Sequence, residues 1–489
     1  MIRLLCCCVA FVSLVSSVAA LGQATERYYI VNLGGERAGW TREAEVIENG
    51  LITTTAEMRF AIKRGPIEID ITLETEFVET EDHEPVSMRS TQAMGAIPVD
   101  TVYVFEEGGV RVTTRQAGQT STRLQAIPGG DWVTPARASE ISAASLAEGN
   151  ETLTLTVIDP SIGLVPVTTR RSEITETSAE VLGKTVPGYR VVSTSSIAPG
   201  SESIEFIGLD GELLRATVTL GGMEITTIAA DKEIALADID PPEIMRSTFI
   251  KPSRTIRSPR ETTRGVYLLS VEDGPLPDLP QTASQSVERV DASTVKVSVT
   301  AEPASDRGDP PTDADLASST MIACTDEAIL ALVERSSRIA GAPPSVRAEA
   351  LRRFVHSYVD EKSLGVGFAT ASEVARTRVG DCSEHAALLA AVLRADGIPS
   401  RVVSGLIYAQ DFIGSQDIFG YHMWTQAYVD TPQGERWVDL DATLPPSTPT
   451  DATHIALDVS TLSDDDTVNA MIALAPLLGT LSVKVESVE

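Results

Sequence analysis

The spacing of apolar residues changes along this chain, and the change constrains what each part can fold into. Through the first half the period is two. Ile67, Ile69, Ile71 and Leu73 alternate with Glu68, Asp70, Thr72 and Glu74, which gives a strand one apolar face and one wet face. Leu153, Leu155 and Val157 alternate with threonines in the same way. Asp210-Gly211, between Ile204–Ile207 and Leu213–Leu220, is a residue pair that suits a tight hairpin turn. Helical spacing is nearly absent between Thr25 and Asp238. Residues 25–238 are therefore expected to form an all-β antiparallel domain, a sizeable sheet that is curved or barrel-like.

After the polar, Pro- and Asp-rich break at Glu302–Asp315 the period shifts to that of a helix. Helices are predicted over Asp326–Ala340 and Ser345–Glu361. In the second, Val346, Leu351, Phe354, Val355, Tyr358 and Val359 make an apolar stripe and Ser345 is the predicted N-cap. A third helix is predicted from Cys382 to Ala395, stopped by Gly397-Ile398-Pro399. Strands follow at Arg401–Leu406, His422–Asp430 and Glu435–Leu440. Helices followed by an antiparallel sheet make residues 316–489 an α+β domain. Residues 239–315 read as a connector with a short strand-bearing segment at Val266–Val271 and Val295, Val297 and Val299. Its first part is broken by Pro241, Pro242, Pro252 and Pro259. It is locally basic through Arg246, Lys251, Arg254, Arg257, Arg260 and Arg264, which suggests packing against an acidic neighbour.

A length of 489 residues with 43% hydrophobic residues fits a multidomain globular chain. The formal net charge of −30 excludes nucleic acid as a natural partner. Residues 1–24 read as a signal peptide: Arg3, an apolar run from Leu4 to Val18, then small residues before Thr25. The expectation is an exported protein, periplasmic or extracellular. The run is too short to anchor the mature chain in a membrane. Three of the five cysteines fall in this segment, leaving Cys324 and Cys382. Cys324, at a helix start, is read as a buried inert thiol rather than a disulfide partner of Cys382. His83, between Asp82 and Glu84, is read as an exposed turn residue.

One ordered set of residues carries chemistry. Cys382 stands in Val-Gly-Asp-Cys-Ser-Glu-His, His422 in Tyr-His-Met-Trp and Asp441 in Trp-Val-Asp-Leu-Asp-Ala-Thr. A thiol at a helix N-terminus faces free N–H groups and the positive end of the helix dipole, which is expected to lower its pKa. Gly380 allows the tight turn that exposes it. Alternation places His422, Trp424, Gln426 and Tyr428 on one strand face, with Asp441 at the end of the next strand. Thiol, imidazole and carboxylate are then the parts of a Cys-His-Asp nucleophilic site. Asp439 has the same parity as Asp441 and is a rival for the carboxylate role. His385 shares a helix with Cys382 and is read as supporting structure. No spacing matches a zinc site, so no metal and no other cofactor is predicted.

These blocks resemble the transglutaminase-like superfamily. Gly380-Asp-Cys-Ser-Glu-His-Ala-Ala-Leu-Leu, Leu393-Arg-Ala-Asp-Gly-Ile-Pro-Ser-Arg-Val-Val-Ser-Gly405, His422-Met-Trp and Trp437-Val-Asp-Leu-Asp-Ala-Thr stand in the superfamily's order and spacing. The likeness extends loosely over Leu316–Pro446. It implies a papain-like domain with Cys382 as nucleophile, His422 as imidazole and Asp441 as carboxylate, acting on a protein or peptide amide through a thioester. The superfamily usually has Asp-Pro-Thr where this chain has Asp441-Ala442-Thr443, which removes a rigid turn but keeps the carboxylate. Crosslinking, deamidation and proteolysis all remain open, as does an exported binding or scaffold protein with an architectural triad.

Overall fold

The computed structural model describes residues 25–489 apart from 66, 94–97, 117–118, 199–200, 221, 273, 304–308, 337–340, 366–368 and 464–476. The signal segment expected at 1–24 lies outside the described residues. The chain divides into two compact units, one holding residues up to 63 with 68–243, the other residues 64–67 with 244–489. Among the described residues no helix is long and apolar enough to cross a membrane.

The first unit is built on fourteen strands. They are β1 (Thr25–Leu33), β2 (Glu36–Glu48), β3 (Leu51–Arg64), β4 (Ile67–Thr80), β5 (Pro85–Ala93), β6 (Val99–Glu106), β7 (Gly109–Gln116), β8 (Gln119–Gln125), β9 (Leu153–Ile158), β10 (Pro166–Val181), β11 (Lys184–Ser195), β12 (Glu202–Gly208), β13 (Leu213–Leu220) and β14 (Met223–Ala230). They form one sheet in the order 8-7-6-5-4-3-2-1-14-13-12-11-10-9. Strand neighbours are sequence neighbours except where β1 pairs antiparallel with β14. The period-two reading holds in detail: along β4, Ile69, Ile71 and Leu73 are buried while Glu68, Asp70 and Glu74 are exposed.

Two features of this unit depart from the sequence reading. Helix α1 (Pro135–Ala147) interrupts the strands, and its buried face is Ala136, Ala138, Ser139, Ser142, Ser145 and Leu146. Small residues can sit close to a sheet without producing an apolar 3.6-residue signal, so the pattern hid the helix. His83 does occupy a turn, with φ of 65°, but it is not free. Its ring bonds Glu79 at 2.7 Å and Glu140 at 3.1 Å. Within the same unit Arg171 of β10 pairs with Glu205 of β12 at 3.0 Å and reaches Ser142 of α1 at 3.2 Å. A one-turn helix, α2 (Lys232–Ala235), follows the last strand.

The second unit carries two four-stranded antiparallel sheets. The first consists of β15 (Arg264–Val271), β16 (Gln285–Arg289), β17 (Thr294–Thr300) and, from the end of the chain, β24 (Leu481–Val488), in the order 16-17-15-24. The stretch read as a connector thus supplies three of these four strands. Its basic residues bind mainly main-chain carbonyls: Arg246 that of Ile413 at 3.1 Å, Arg254 that of Glu486 at 2.8 Å, and Lys251 that of Gln416. A guanidinium or ammonium can satisfy carbonyls at strand ends as readily as carboxylates, while Arg260 does meet an acidic partner, Asp451.

Four helices precede the second sheet: α3 (Glu327–Ser336), α4 (Pro344–Tyr358), α5 (Ala371–Thr377) and α6 (Cys382–Ala395). Helix α4 is capped at Pro343 with Pro344 in its first turn, not at Ser345, because proline at the first helical position gives up an N–H that has no helical acceptor. Leu351, Val355 and Val359 are buried as the stripe predicts, whereas Val346 faces solvent. Helix α6 is buried on every side from Ala386 to Leu393, which makes it the central helix of this core. The parallel two-residue strands β18 (Glu361–Lys362) and β19 (Val379–Gly380) lead into it. The second sheet runs β22-β21-β20-β23 and comprises β20 (Ser400–Phe412), β21 (Ser415–Thr431), β22 (Gly434–Leu440) and β23 (Ile455–Ser460). Val402, Ala427 and Val429 pack from it onto Leu388, Leu389 and Val392 of α6. An all-antiparallel β domain followed by an α+β domain is the architecture of the molecule.

Candidate active site

Cys382 is the first residue of α6. Asp381 caps the helix, accepting the Ser383 N–H at 3.0 Å, while Glu384 reaches back to the Asp381 N–H at 2.8 Å. This reciprocal capping fixes where the helix begins and so where the sulfur stands. Gly380 is required for it: a Cβ there would lie 2.2 Å from the Glu384 Cβ. Cys382 and Cys324 are both free thiols, Cys324 buried and Cys382 only half-buried. The Met423 N–H of β21, one residue after His422, donates toward the Cys382 sulfur.

The electrostatics of the thiol differ from the sequence expectation. Burial, then the carboxylates of Asp381 and Glu384, push the Cys382 thiol well above its ordinary range. Arg64 and the Met423 N–H act only partly against them. Burial alone would raise Asp381 too, but Arg64, 2.8 Å away, and the Ser383 donors hold it below the usual carboxylate range. The helix dipole favours an anion here, yet the cap that fixes the helix is itself a carboxylate, and a buried like charge outweighs a partial one. The push on the Cys382 thiol is therefore upward, the reverse of what a helix start alone suggests.

His422 lies in the middle of β21 rather than at its start. It is paired with Gly405 of β20, where a Cβ would lie 2.6 Å from the Trp424 ring. Its ring stacks at 22° on Trp424, centroids 6.2 Å apart. Asp441 follows directly on β22. Its Oδ2 accepts from His422 Nε2 at 2.8 Å, and its Oδ1 accepts from the Thr443 N–H at 2.8 Å and the Thr443 hydroxyl at 2.6 Å. Burial would raise the Asp441 carboxyl, but the imidazoles of His422 and His454 hold it well below the usual range. With Nε2 engaged by Asp441, the other ring nitrogen, Nδ1, is the one left for proton exchange.

The rivalry between the two aspartates is resolved by their partners. Asp439 Oδ1 accepts from Trp424 Nε1 and from Gln426 Nε2, each at 2.8 Å, while the His422 ring bonds Asp441. The missing proline at position 442 is offset from α4. Arg352 donates to the carbonyls of Asp441, Leu444 and Pro446 at 3.1, 3.3 and 3.0 Å, and His356 Nδ1 meets the Ala442 carbonyl at 3.0 Å. His385 is buried and bonds the Asp381 carbonyl through Nδ1 at 2.5 Å, a supporting role within its own helix.

One residue of this cluster was not anticipated. His454, immediately before β23, points Nε2 at Asp441 Oδ2 from 3.3 Å. It belongs to the Asp451-Ala-Thr-His454 turn, which carries no alternation or motif that would have singled it out. His422, Asp441 and His454 bring their donor atoms within 4.8 Å of one another. Both imidazoles aim Nε2 at the same carboxylate oxygen, so hydrogen bonding accounts for the grouping.

A thiol at the start of a central helix, packed on an antiparallel sheet that carries a half-buried histidine bonded to a buried aspartate, is the layout of a papain-like α+β domain. Residues 334–442 match the family model of the transglutaminase-like superfamily, and over this part the chain is similar to a transglutaminase-like core. A comparison with curated proteins finds no match. Among solved structures, a β-barrel-like protein of a domain family of unknown function from Brucella abortus is 13% identical, with TM-score 0.32, over 44% of this chain and 98% of its own. The periplasmic domain of TgpA from Pseudomonas aeruginosa is 15% identical, with TM-score 0.24, over 38% of this chain and 91% of its own.

Proposed function

We propose that this protein is an exported transglutaminase-like cysteine enzyme that transfers or hydrolyses acyl groups at protein amide bonds through a thioester on Cys382. The observation that carries the reading is the His422–Asp441 bond of 2.8 Å through Nε2, which leaves Nδ1 to serve a thiol beside the same strand. Burial and Asp381 push the Cys382 thiol up, which favours general-base attack over reaction of a standing thiolate as the first step. The thiol proton passes to His422 as sulfur bonds the carbonyl carbon. The carbonyl oxygen becomes an oxyanion beside the N–H groups at the start of α6, and the amine leaves with the proton from His422. Asp441 holds the imidazole in the tautomer this requires and stabilises its protonated form. Water or an amine then attacks the thioester as His422 takes its proton; the C–S bond breaks and the proton returns from His422 to the Cys382 sulfur.

The acceptor is decided by mass spectrometry of protein substrates incubated with and without a primary amine. Gain of the amine identifies a transferase, conversion of glutamine to glutamate a deamidase, and a cut backbone a protease. Each change should be absent with Cys382→Ala. Product formation by that variant at the wild-type rate would overturn the reading.

A further inference from the structure

We infer that His454 is a positioning residue for the proposed site: from the buried side of Asp441 it fixes the carboxylate and sets how strongly Asp441 supports His422. This rests on the roles proposed above for Cys382, His422 and Asp441.

His454 is 5% exposed and Asp441 1%, so neither can exchange its partner for water. The two imidazoles share one oxygen, His422 at 2.8 Å and His454 at 3.3 Å. The opposite edge of the His454 ring faces Asp451: Nδ1 lies 3.1 Å from its carbonyl and 3.5 Å from its Oδ1. Asp451 also accepts from the Thr453 N–H at 2.8 Å and forms an ion pair with Arg260. Nδ1 also lies 3.3 Å from the Asp451 N–H, so Asp451 meets this edge of the ring with a donor as well as acceptors. The charges along this line alternate: Arg260 positive, Asp451 negative, His454 positive, Asp441 negative, then His422. Trp424, edge-on to His454 with centroids 5.3 Å apart, closes the remaining side.

The aspartates beside it raise His454 to about 10 although burial alone would lower it, and donors including His454 and Arg260 bring Asp451 to about 2. His454 is then a fixed cation with its ring centroid 6.1 Å from that of His422. Such a charge repels any second cation brought near it, and the pH dependence below reads that repulsion.

The test is the pH dependence of Cys382 carboxamidomethylation by iodoacetamide, followed by mass spectrometry of the intact chain. His422→Ala should slow labelling near neutral pH at least about tenfold. His454→Gln keeps a donor toward Asp441 but loses the cation; it should move the acid limb of the His422-dependent rate to higher pH. His454→Leu should in addition slow labelling at all pH values, as should Asp441→Asn. Should His454→Leu not fold, His454→Gln carries the test. If His422→Ala labels like wild type, the functional reading itself fails. If His422→Ala is slow but His454→Gln keeps the wild-type acid limb, whether or not its rate falls uniformly, His454 has only a packing role and the inference is overturned.

Discussion

In the β-sheet unit Arg171 meets Glu205 at 3.0 Å with side chains 7% and 2% exposed; in the second unit His422 meets Asp441 at 2.8 Å with side chains 10% and 1% exposed. Distance and burial barely separate the two pairs. What separates them is proton chemistry. A guanidinium stays charged at every accessible pH and offers only donors, so Arg171 locks strand to strand and can do no more. An imidazole gains and loses a proton near neutrality, and His422 keeps one ring nitrogen uncommitted by Asp441 on the strand whose Met423 N–H reaches the Cys382 sulfur. Buried charge alone says little about function. A titratable partner with one open edge beside a nucleophile says more.

That contrast can be broken most severely at the imidazole. His422→Ala should lower turnover of an amide or ester substrate by about 10²–10⁴ while leaving the melting of the β-sheet unit unchanged; kinetics together with a melt resolved by unit check both halves. Removing one partner of the architectural pair should have the opposite signature. Arg171→Met strands a buried carboxylate and should cost the sheet unit about 3–5 kcal/mol, most of it recovered in Arg171→Met/Glu205→Leu, with labelling of Cys382 unaffected. Denaturant unfolding of the three chains gives the values, and a single variant no less stable than wild type would erase the distinction.

Smaller effects follow from pH. His454, raised in the fold to about 10 from an ordinary 6.5, contributes stability that is fully present below about pH 6.5 and is lost as pH rises through about 10. Asp451, lowered from 3.8 to about 2, contributes stability present above about pH 4 and lost on acidification through about 2. The second unit should therefore melt highest between those windows, and His454→Gln should flatten the alkaline side. A wild-type melting temperature that holds steady up to about pH 10 would contradict the charge assigned to His454.

Much of the site was legible because its signals are local. Gly380, Cys382 and Glu384 lie within one helix cap, and strand parity put His422 on the face of Trp424 and Gln426. Parity could not choose between Asp439 and Asp441, since the choice depends on which side chain the Trp424 indole and the Gln426 amide occupy. His454 was invisible for a similar reason: it reaches Asp441 across a turn whose sequence has no periodicity. Helix α1 escaped because it packs through serine and alanine. The upward push on the Cys382 thiol escaped the sequence because a helix start argues for a thiolate, whereas the site is buried and its cap, Asp381, is a carboxylate. Only the folded distances show which effect prevails.

The central claim is that Cys382 forms an acyl intermediate that His422 must assist. It is tested most directly by mixing the protein with p-nitrophenyl acetate, quenching in acid and locating the acetyl group by peptide mass spectrometry. The account predicts one acetyl on the Cys382 peptide in wild type, forming far more slowly in His422→Ala. No adduct on that peptide, or equal rates in the two proteins, would contradict it.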